Sequence, residues 1–510
     1  MRGAATAVVA LALPHFLTRA LSPDAYSAWS LMIQIAAIAS YLDFGLQSAV
    51  ARHVAQLAEC GEDARLNSLM NTAVAMLAGA AGLALFAMIV LLWQVPFLMH
   101  GIPPALVHEF RIAAALLSLA TCAQLPLSAF TGLLIGLHRN EYPALAIGGS
   151  RMVGAVAAIA AGYATHSLIV LAVCVGVANL MGGWAQMIAA HRLMNSLRLN
   201  LLVADWKTAA GLARYCAGLT VFSFGVFLVN GIDLAVVGHF QFEAVGYYSV
   251  ATALITCYIG LGAAVINALM TPMAALFARG DLERIRATVL LATRWTVAAN
   301  AFLIALVFVY GEPMLTVWVG SFYARPAFLI FRVLIVAQAI RLVGGTFGVM
   351  LVATGQQRHG TEGAAVEGVV SLLASLAGAA WLGPIGVALG TLAGTVTGLL
   401  WILARTMLHA QAVPLARRDF LIEGVLRPLL CCIPLACCLL TPQAKQHQTL
   451  LWIAPLFLAV SGYIALRFGN LFSGSGRYRD LGDSVAGVTH LMPARPTGAT
   501  AAYIARKAER

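Results

Sequence analysis

The chain has 510 residues, of which 61% are apolar and only 10% charged, with a formal net charge of +11 and a mean hydropathy of +0.88. Ordinary soluble proteins are about 45–50% apolar and about 25% charged, and a soluble fold of this length cannot hide so much apolar surface. Composition therefore excludes a soluble enzyme and a disordered chain, and the basic charge reads as a topology signal rather than the mark of a nucleic-acid partner.

About fourteen segments are apolar enough and long enough to cross about 30 Å of hydrocarbon. The first, 3–20, carries Pro14 and ends in Arg19. No cleavable signal peptide is expected there, because the apolar stretch runs into LPHFLTRALSPDAYSAW rather than a small-residue cleavage site. The second, 27–50, holds Asp43 near one end with Gln47 four residues on, the spacing of one helix face. A carboxylate there can titrate, pair with an Arg or bind a cation. Segments 70–95, 110–135 (with Pro126), 144–165 (with Arg151) and 168–190 follow. The seventh, 216–238, has Asp233 near its end and Asn230 one turn earlier, and the eighth, 246–270, stops short of Pro272.

The ninth, 288–310, contains Arg294, which reads like Arg151 as a snorkelling side chain near a span end. The tenth, 328–352, carries two Arg. Arg341, in QAIRLVGGTFG, is near mid-span and either lines a polar cavity or belongs to a buried pair. Arg332, nine residues earlier, faces roughly the opposite way on a straight helix. Glu367 stands near the end of the eleventh, 364–382, and the twelfth is 385–406. Two more segments, 420–440 with Arg427, Pro428 and the cysteine-rich LLCCIPLACCLL, and 450–468, precede a Gly/Ser/Pro-rich basic tail.

With the N-terminus inside, inside loops and tail hold about 22 of the 31 basic residues and outside loops about four. That bias predicts a multi-pass protein with both termini cytoplasmic. The tail is expected to lie near anionic lipid.

The chain also repeats itself. PDAYSAWS at Pro23–Ser30 lines up with FEAVGYYS at Phe242–Ser249, AQLAECGED with AALFARGDL, and LIGLHRN with VATGQQRH, the last matching Gly136 to Gly355 and Arg139 to Arg358. An offset of about 219 residues spans six helices, an even number, so the repeats are parallel. The expected fold is an all-α polytopic membrane protein of about 14 transmembrane helices: two pseudo-symmetric six-helix lobes, 1–195 and 214–412, a cytoplasmic connector at 196–213, an extra helix pair at 413–470 and a flexible basic tail at 471–510.

At membrane depth five Arg (151, 294, 332, 341 and 427) face three carboxylates (Asp43, Asp233 and Glu367), which favours an anionic substrate, since Arg binds phosphate in a planar, bidentate way. Arg19, Arg332 and Arg341 are the candidate substrate contacts. Asp43, Gln47, Asp233, Asn230 and Glu367 are the candidates for a coupling or polar network. No P-loop, HExxH or paired CxxC occurs, so no cofactor, metal or catalytic residue is expected, and the energetic options are secondary coupling or simple facilitation down a gradient.

The segment RALSPDAYSAWSLMIQIAAIASYLDFGLQSAVARHVAQ resembles the opening signature of bacterial polysaccharide flippases, the oligosaccharide-lipid branch of the multidrug/oligosaccharidyl-lipid/polysaccharide exporter superfamily. Arg19, Pro23, Tyr26, Leu42, Asp43, Phe44 and Gly45 match it, with Ser27 in place of the usual Gly. VATGQQRHGTEGAAVEGVVSLLASLAGAAWLGPIGVALGT is similar to that family's G-x-x-R…E…G-x-x-G-V-A pattern. The resemblance implies a V-shaped two-lobe fold, alternating access around a cationic lumen to which Arg19 and Arg341 correspond, and an extra helix pair that accommodates a lipid tail. It further implies translocation of an undecaprenyl-diphosphate-linked oligosaccharide across a bacterial inner membrane for surface polysaccharide biosynthesis. Its partners would be that lipid-linked substrate, membrane lipids, a polysaccharide polymerase and a chain-length regulator. The alternatives are a cation-coupled multidrug exporter and an integral membrane polymerase or acyltransferase.

Overall fold

Apolar runs placed in lipid must satisfy every backbone N–H and C=O internally, and helices do so within one segment. The computed structural model describes residues 2–40, 43, 45–98, 101–194, 197–198, 205–409, 413 and 415–431, and every regular element among them is helical. Nine helical stretches among the described residues are long and apolar enough to cross a membrane by length and composition, and Ala5–Ala20 and Phe227–Phe240 are shorter apolar helices. The protein is a multi-pass, all-α membrane protein. Two compact units divide between Ser249 and Val250.

In the first unit, α1 (Arg2–Ala20) and α2 (Pro23–Ser40) are followed by α3 (Leu46–Cys60), α4 (Asp63–Leu98), α5 (Pro104–Gly136), α6 (Glu141–Thr165) and α7 (Leu168–Leu193). The expected second span, 27–50, is therefore two helices and not one. Gly45, at φ +75°, is the reason: a left-handed residue ends helical continuity, and its N–H donates to Asp43 Oδ1 at 3.1 Å. Hydropathy averaged over 27–50 reads as one span and does not show the break. Then come α8 (Trp206–Asn230) and α9 (Asp233–Phe240), so the expected seventh span is likewise interrupted, at Gly231 and Ile232.

The remaining helices are α10 (Val245–Ala268), which begins in the first unit and continues in the second, α11 (Met270–Ala278), α12 (Leu282–Val319), α13 (Ser321–Ala353), α14 (Gln357–Leu382) and α15 (Pro384–Trp401). The last runs through a π-helical turn, Ile402–Thr406, to His409. Pro272 falls in the first turn of α11, where its missing N–H costs little. A helical segment at 417–431 begins the expected thirteenth span. The rest of that span with Cys432, Cys437 and Cys438, the segment 450–468 and the tail lie outside the described residues.

The repeat is visible in backbone detail. Gly61 N–H donates to Ala58 O and Glu62 N–H to Leu57 O, and 219 residues on Gly280 N–H donates to Phe277 O and Asp281 N–H to Leu276 O. Gly61 and Gly280, at φ +72° and +74°, are the matching left-handed closures of α3 and α11. Further along, the register slips. The positive-φ residue that follows α5 is His138 and its counterpart after α13 is Gly355, with the same bonding pattern around each, so the offset there is 217. The expected matches of Gly136 to Gly355 and Arg139 to Arg358 are thus two residues out. The connection after α12 is shorter than that after α4, since Gly320 alone separates α12 from α13. By the starts of α6 and α14, capped by Asn140 and Gln356, the offset is 216.

Equivalent residues build equivalent cores. Val54, Leu66, Met70, Phe130 and Leu133 are buried together in the first unit, and Met273, Ile285, Val289, Phe347 and Met350 in the second. Residues beyond α7 and α15 close the two cores: Leu197 and, within α8, Leu212 and Cys216 in the first, and Val413, Leu415 and Phe420 in the second.

Small residues set the closest helix contact. A Cβ on Gly394 would lie 2.6 Å from Ser371 Cβ, and one on Gly398 would lie 3.0 Å from Glu367 Oε2. With Gly386 against Gly378 and Gly390 against Ser375, this forms a ladder at one-turn spacing between α15 and α14.

Candidate functional site

Each unit contains a polar constellation at the middle of its helices. In the second unit, Arg341 extends from α13 toward α14 and α15. Its Nε donates to Glu367 Oε1 at 2.7 Å, its Nη1 to Gln338 Oε1 at 2.7 Å and its Nη2 to Thr395 Oγ1 at 3.1 Å. The Arg341 and Glu367 side chains are 23% and 15% exposed. An ionised pair in apolar surroundings holds only if such geometry offsets its desolvation, and here the guanidinium is engaged through all three of its nitrogens. Two residues that the sequence presents 26 positions apart form one ion pair.

In the first unit a cavity of about 510 Å³ opens among α1, α2, α5, α6 and α7. Thr121, Gln124, Arg151 and Asn179 line it. With offsets of 217 on α5 and 216 on α6 and α7, these four are the repeat equivalents of Gln338, Arg341, Glu367 and Thr395. The same four positions therefore carry a closed ion pair in one unit and line a cavity in the other. Arg151 stands two residues from the middle of the 25-residue α6 and donates from Nη1 to Thr6 Oγ1 at 2.6 Å. It occupies the position where the second repeat has a carboxylate. This cluster escapes a reading of the sequence because Arg151 resembles an ordinary snorkelling residue. Transferring Arg341 and Glu367 through the corrected repeat register finds it.

Asp43 and Gln47 also line this cavity. They do not share one helix face as expected, because Gly45 interrupts the helix between them, yet the break leaves both at the same wall. Thr131 and Gln186 are hydrogen-bonded to each other, and Gln186 also donates to Gly182 O at 3.1 Å.

The other expected site residues lie elsewhere. Arg19, near the end of α1, is exposed and its Nη1 is 2.7 Å from His15 Nε2. Arg332 lies between the rings of Phe308 and Phe328, with its guanidinium carbon 4.6 Å from each centroid, a cation–π sandwich. Asp233, 8% exposed, starts α9 and accepts from Tyr248 OH at 3.2 Å. Asn230 ends α8, and its side chain lies outside the described residues.

Arg294, expected to snorkel, instead clasps the segment after the second repeat. It is 5% exposed, and it donates from Nε to Glu423 O at 3.0 Å and from Nη2 to Glu423 Oε2 at 2.7 Å. Nearby, Arg286 pairs with Asp419. Among the described residues no group of three or more His, Cys, Asp or Glu is placed to hold a metal ion.

The profile of the polysaccharide biosynthesis protein family matches residues 16–326, more than half of the chain. The chain belongs to this family. A search of curated proteins finds no significant match in sequence. Among solved structures, the lipid II flippase MurJ in an inward closed conformation superposes with a TM-score of 0.63 at 14% identity, covering 93% of this chain and 97% of its own. An inward-facing multidrug resistance MATE transporter of the MOP superfamily also gives 0.63, at 13% identity over 78% of this chain and 94% of its own. The Vibrio cholerae MATE transporter VcmN, as a mutant, gives 0.54 at 12% identity, covering 80% and 99%. At such identities the likeness is one of fold, and that fold is the one shared by MATE and MurJ proteins.

Proposed function

We propose that the protein translocates a polyprenyl-diphosphate-linked oligosaccharide across the cytoplasmic membrane for surface polysaccharide assembly. The observation that carries this reading is the family match over residues 16–326 in a chain with a transporter fold. Charge supports it: Arg151, Arg332 and Arg341 occupy mid-helix positions, where an ionisable group is costly and needs a purpose. The cargo's constant part is a diphosphate, and Arg is the side chain suited to it.

In this reading Arg19, Arg332 and Arg341 engage the diphosphate or acidic sugars as two repeated lobes, 1–195 and 214–412, alternate in access. Arg341 can take cargo only by leaving Glu367, which makes that pair a switch. Asp43, Gln47, Asp233, Asn230 and Glu367 form the polar network through which an ion would be coupled, since the chain lacks a nucleotide-binding P-loop. The bias of Lys and Arg supports a topology with both termini cytoplasmic in the inner membrane. A polymerase and a chain-length regulator would use the product on the far side.

The experiment is leaflet-specific labelling of the lipid-linked intermediate in cells with and without the gene. Accumulation in the cytoplasmic leaflet on deletion supports the reading, whereas accumulation of translocated but unpolymerised units points to a polymerase. With normal protein levels, unchanged polymer output from Arg19→Ala and Arg341→Ala removes those two side chains from the site. A cation-coupled small-molecule exporter is the second reading, favoured by the equal likeness to a MATE transporter. It predicts a drug-resistance phenotype with no effect on surface glycan.

A further inference from the structure

Two of the Arg residues within the second unit's spans, Arg294 and Arg341, each hold a carboxylate, Glu423 and Glu367. Arg332 holds none among the described residues. Its guanidinium carbon lies 4.6 Å from the ring centroids of Phe308 on α12 and Phe328 on α13, and its Nε is buried without a hydrogen bond. Neither of its Nη groups has a partner among the described residues. The rings cover both faces of the guanidinium, so the planar edge that carries the Nη groups is what remains for a ligand. Glu312, one turn beyond Phe308 on α12, is already engaged by Arg325 at 3.4 Å. Arg325 lies two turns before Arg332 and so on the same side of α13, with exposed Leu329 between them. This side of α13 is therefore open rather than packed against another helix.

Depth points to the ligand. α13 has 33 residues, about 50 Å of helix, so it overreaches a hydrocarbon layer of about 30 Å at both ends. Phe328 stands nine residues before its midpoint, which is about 14 Å from the mid-plane of a bilayer centred on the helix. The guanidinium of Arg332 is stacked on that ring, in the direction in which helical side chains lean. The hydrocarbon ends about 15 Å from the mid-plane, where lipid phosphates begin. We infer that the seam between α12 and α13 binds a lipid-borne phosphate on the Nη edge of Arg332, with the lipid chain along Leu329, Val333 and Val336. The fork of a guanidinium matches two phosphate oxygens, and faces shielded by rings strengthen its attraction for an anion. An Arg that only snorkels reaches water without a ring on either face; here the rings fix the plane of the fork before a ligand arrives, which lowers the cost of binding. Two lipids carry this group at this level, a bilayer phospholipid and the polyprenyl diphosphate of the cargo, and the inference rests on the flippase reading only for the second.

The test uses the full chain in dodecyl maltoside, a detergent without phosphate, and two photoactivatable probes. One is phosphatidylglycerol with a diazirine on an acyl chain near the glycerol, and the other is diacylglycerol with the same diazirine. On irradiation the phospholipid should label residues 303–336, read by peptide mass spectrometry, and the diacylglycerol should not. Arg332→Gln should cut that labelling roughly tenfold or more while labelling of other segments stays as in the wild type, which guards against a folding defect. Phe328→Leu, which keeps the charge but loses one ring, should cut it less. Equal labelling of wild type and Arg332→Gln, or equal labelling by the two probes, would overturn the inference. Competition tells the sources apart. Displacement by unlabelled phosphatidylglycerol but not by farnesyl diphosphate assigns a bilayer phospholipid, the reverse assigns the cargo, and displacement by neither also overturns the site. Leaflet labelling in cells separates this site from the flippase reading. Intact translocation with no effect of Arg332→Gln on probe labelling sinks the site alone, and Arg332-dependent labelling in a chain that translocates nothing sinks the flippase reading alone.

Discussion

Arg341 and Glu367 hold each other, and the energetics of such a pair are asymmetric. Removing one partner leaves a buried charge uncompensated and costs about 3 kcal/mol, whereas replacing both by apolar residues of similar size is often close to neutral. Thermal unfolding in detergent should therefore rank Glu367→Gln well below the wild type and Arg341→Met/Glu367→Leu near it. Equal losses from the single and double variants would contradict the pair. Composition alone singles out both residues, because each is an ionisable group in an apolar run. Their pairing is not legible, since it depends on how three helices separated in sequence pack. Arg151 is the reverse case: its type and position are plain, but its meaning depends on a register that slips from 219 to 217 and 216.

Outside the membrane-spanning segments, Asp205 caps α8. Its Oδ2 accepts from Thr208 Oγ1 at 2.7 Å and from Thr208 N–H at 3.0 Å, and its Oδ1 from Lys207 N–H at 3.2 Å; these bonds hold its carboxyl below the usual range. A depressed folded pKa contributes stability above the unfolded pKa and loses it as pH falls through the folded one. Amide exchange at Lys207 and Thr208, compared between wild type and Asp205→Ala, should differ at neutral pH and converge once pH falls below that depressed value. A difference that persists unchanged into acid would show that the cap acts without its charge.

At the scale of elements, two kinds of glycine behave differently. Gly386 and Gly390 meet α14 backbone directly, so a Cβ there must force α15 and α14 apart. Gly82 and Gly149 face open space in α4 and α6, and replacing them by Ala should be neutral or gain about 0.5–1 kcal/mol in helix propensity. Gly390→Ala should lower the melting temperature while Gly149→Ala leaves it unchanged or raises it, and a harmless Gly390→Ala would refute the ladder.

The segment 417–431 is held by Arg294 and Arg286, so Arg294→Ala should expose it to limited proteolysis while leaving α1–α7 resistant. Cleavage spread evenly over the chain would argue against that clasp. Hydropathy locates most of these helices, because length and apolar content are sequence properties. It misses the breaks at Gly45 and Gly231, where φ and tertiary packing, rather than hydropathy, decide.

At the scale of the molecule, one supersecondary plan is used twice. The turn hydrogen bonds at Gly61 and Gly280 coincide, and Phe130 and Phe347 occupy the same place in two cores. The sequence discloses this duplication through the Gly61 and Gly280 turns and the helix starts after Pro23 and Phe242, while the exchange of His138 for Gly355 at a left-handed position hides the register further along. It discloses less of the divergence between the copies, where one polar cluster is a closed ion pair and the other lines a cavity, because that difference arises from single exchanges such as Arg151 for Glu367.

The most direct measurement is transport by the purified chain in proteoliposomes loaded on one leaflet with fluorescent polyprenyl-diphosphate oligosaccharide. Protein-dependent appearance of the label in the opposite leaflet, slowed by Arg341→Ala, is the expected result. Label that stays in its original leaflet at every protein density, while the same vesicles extrude small cationic drugs, would contradict it.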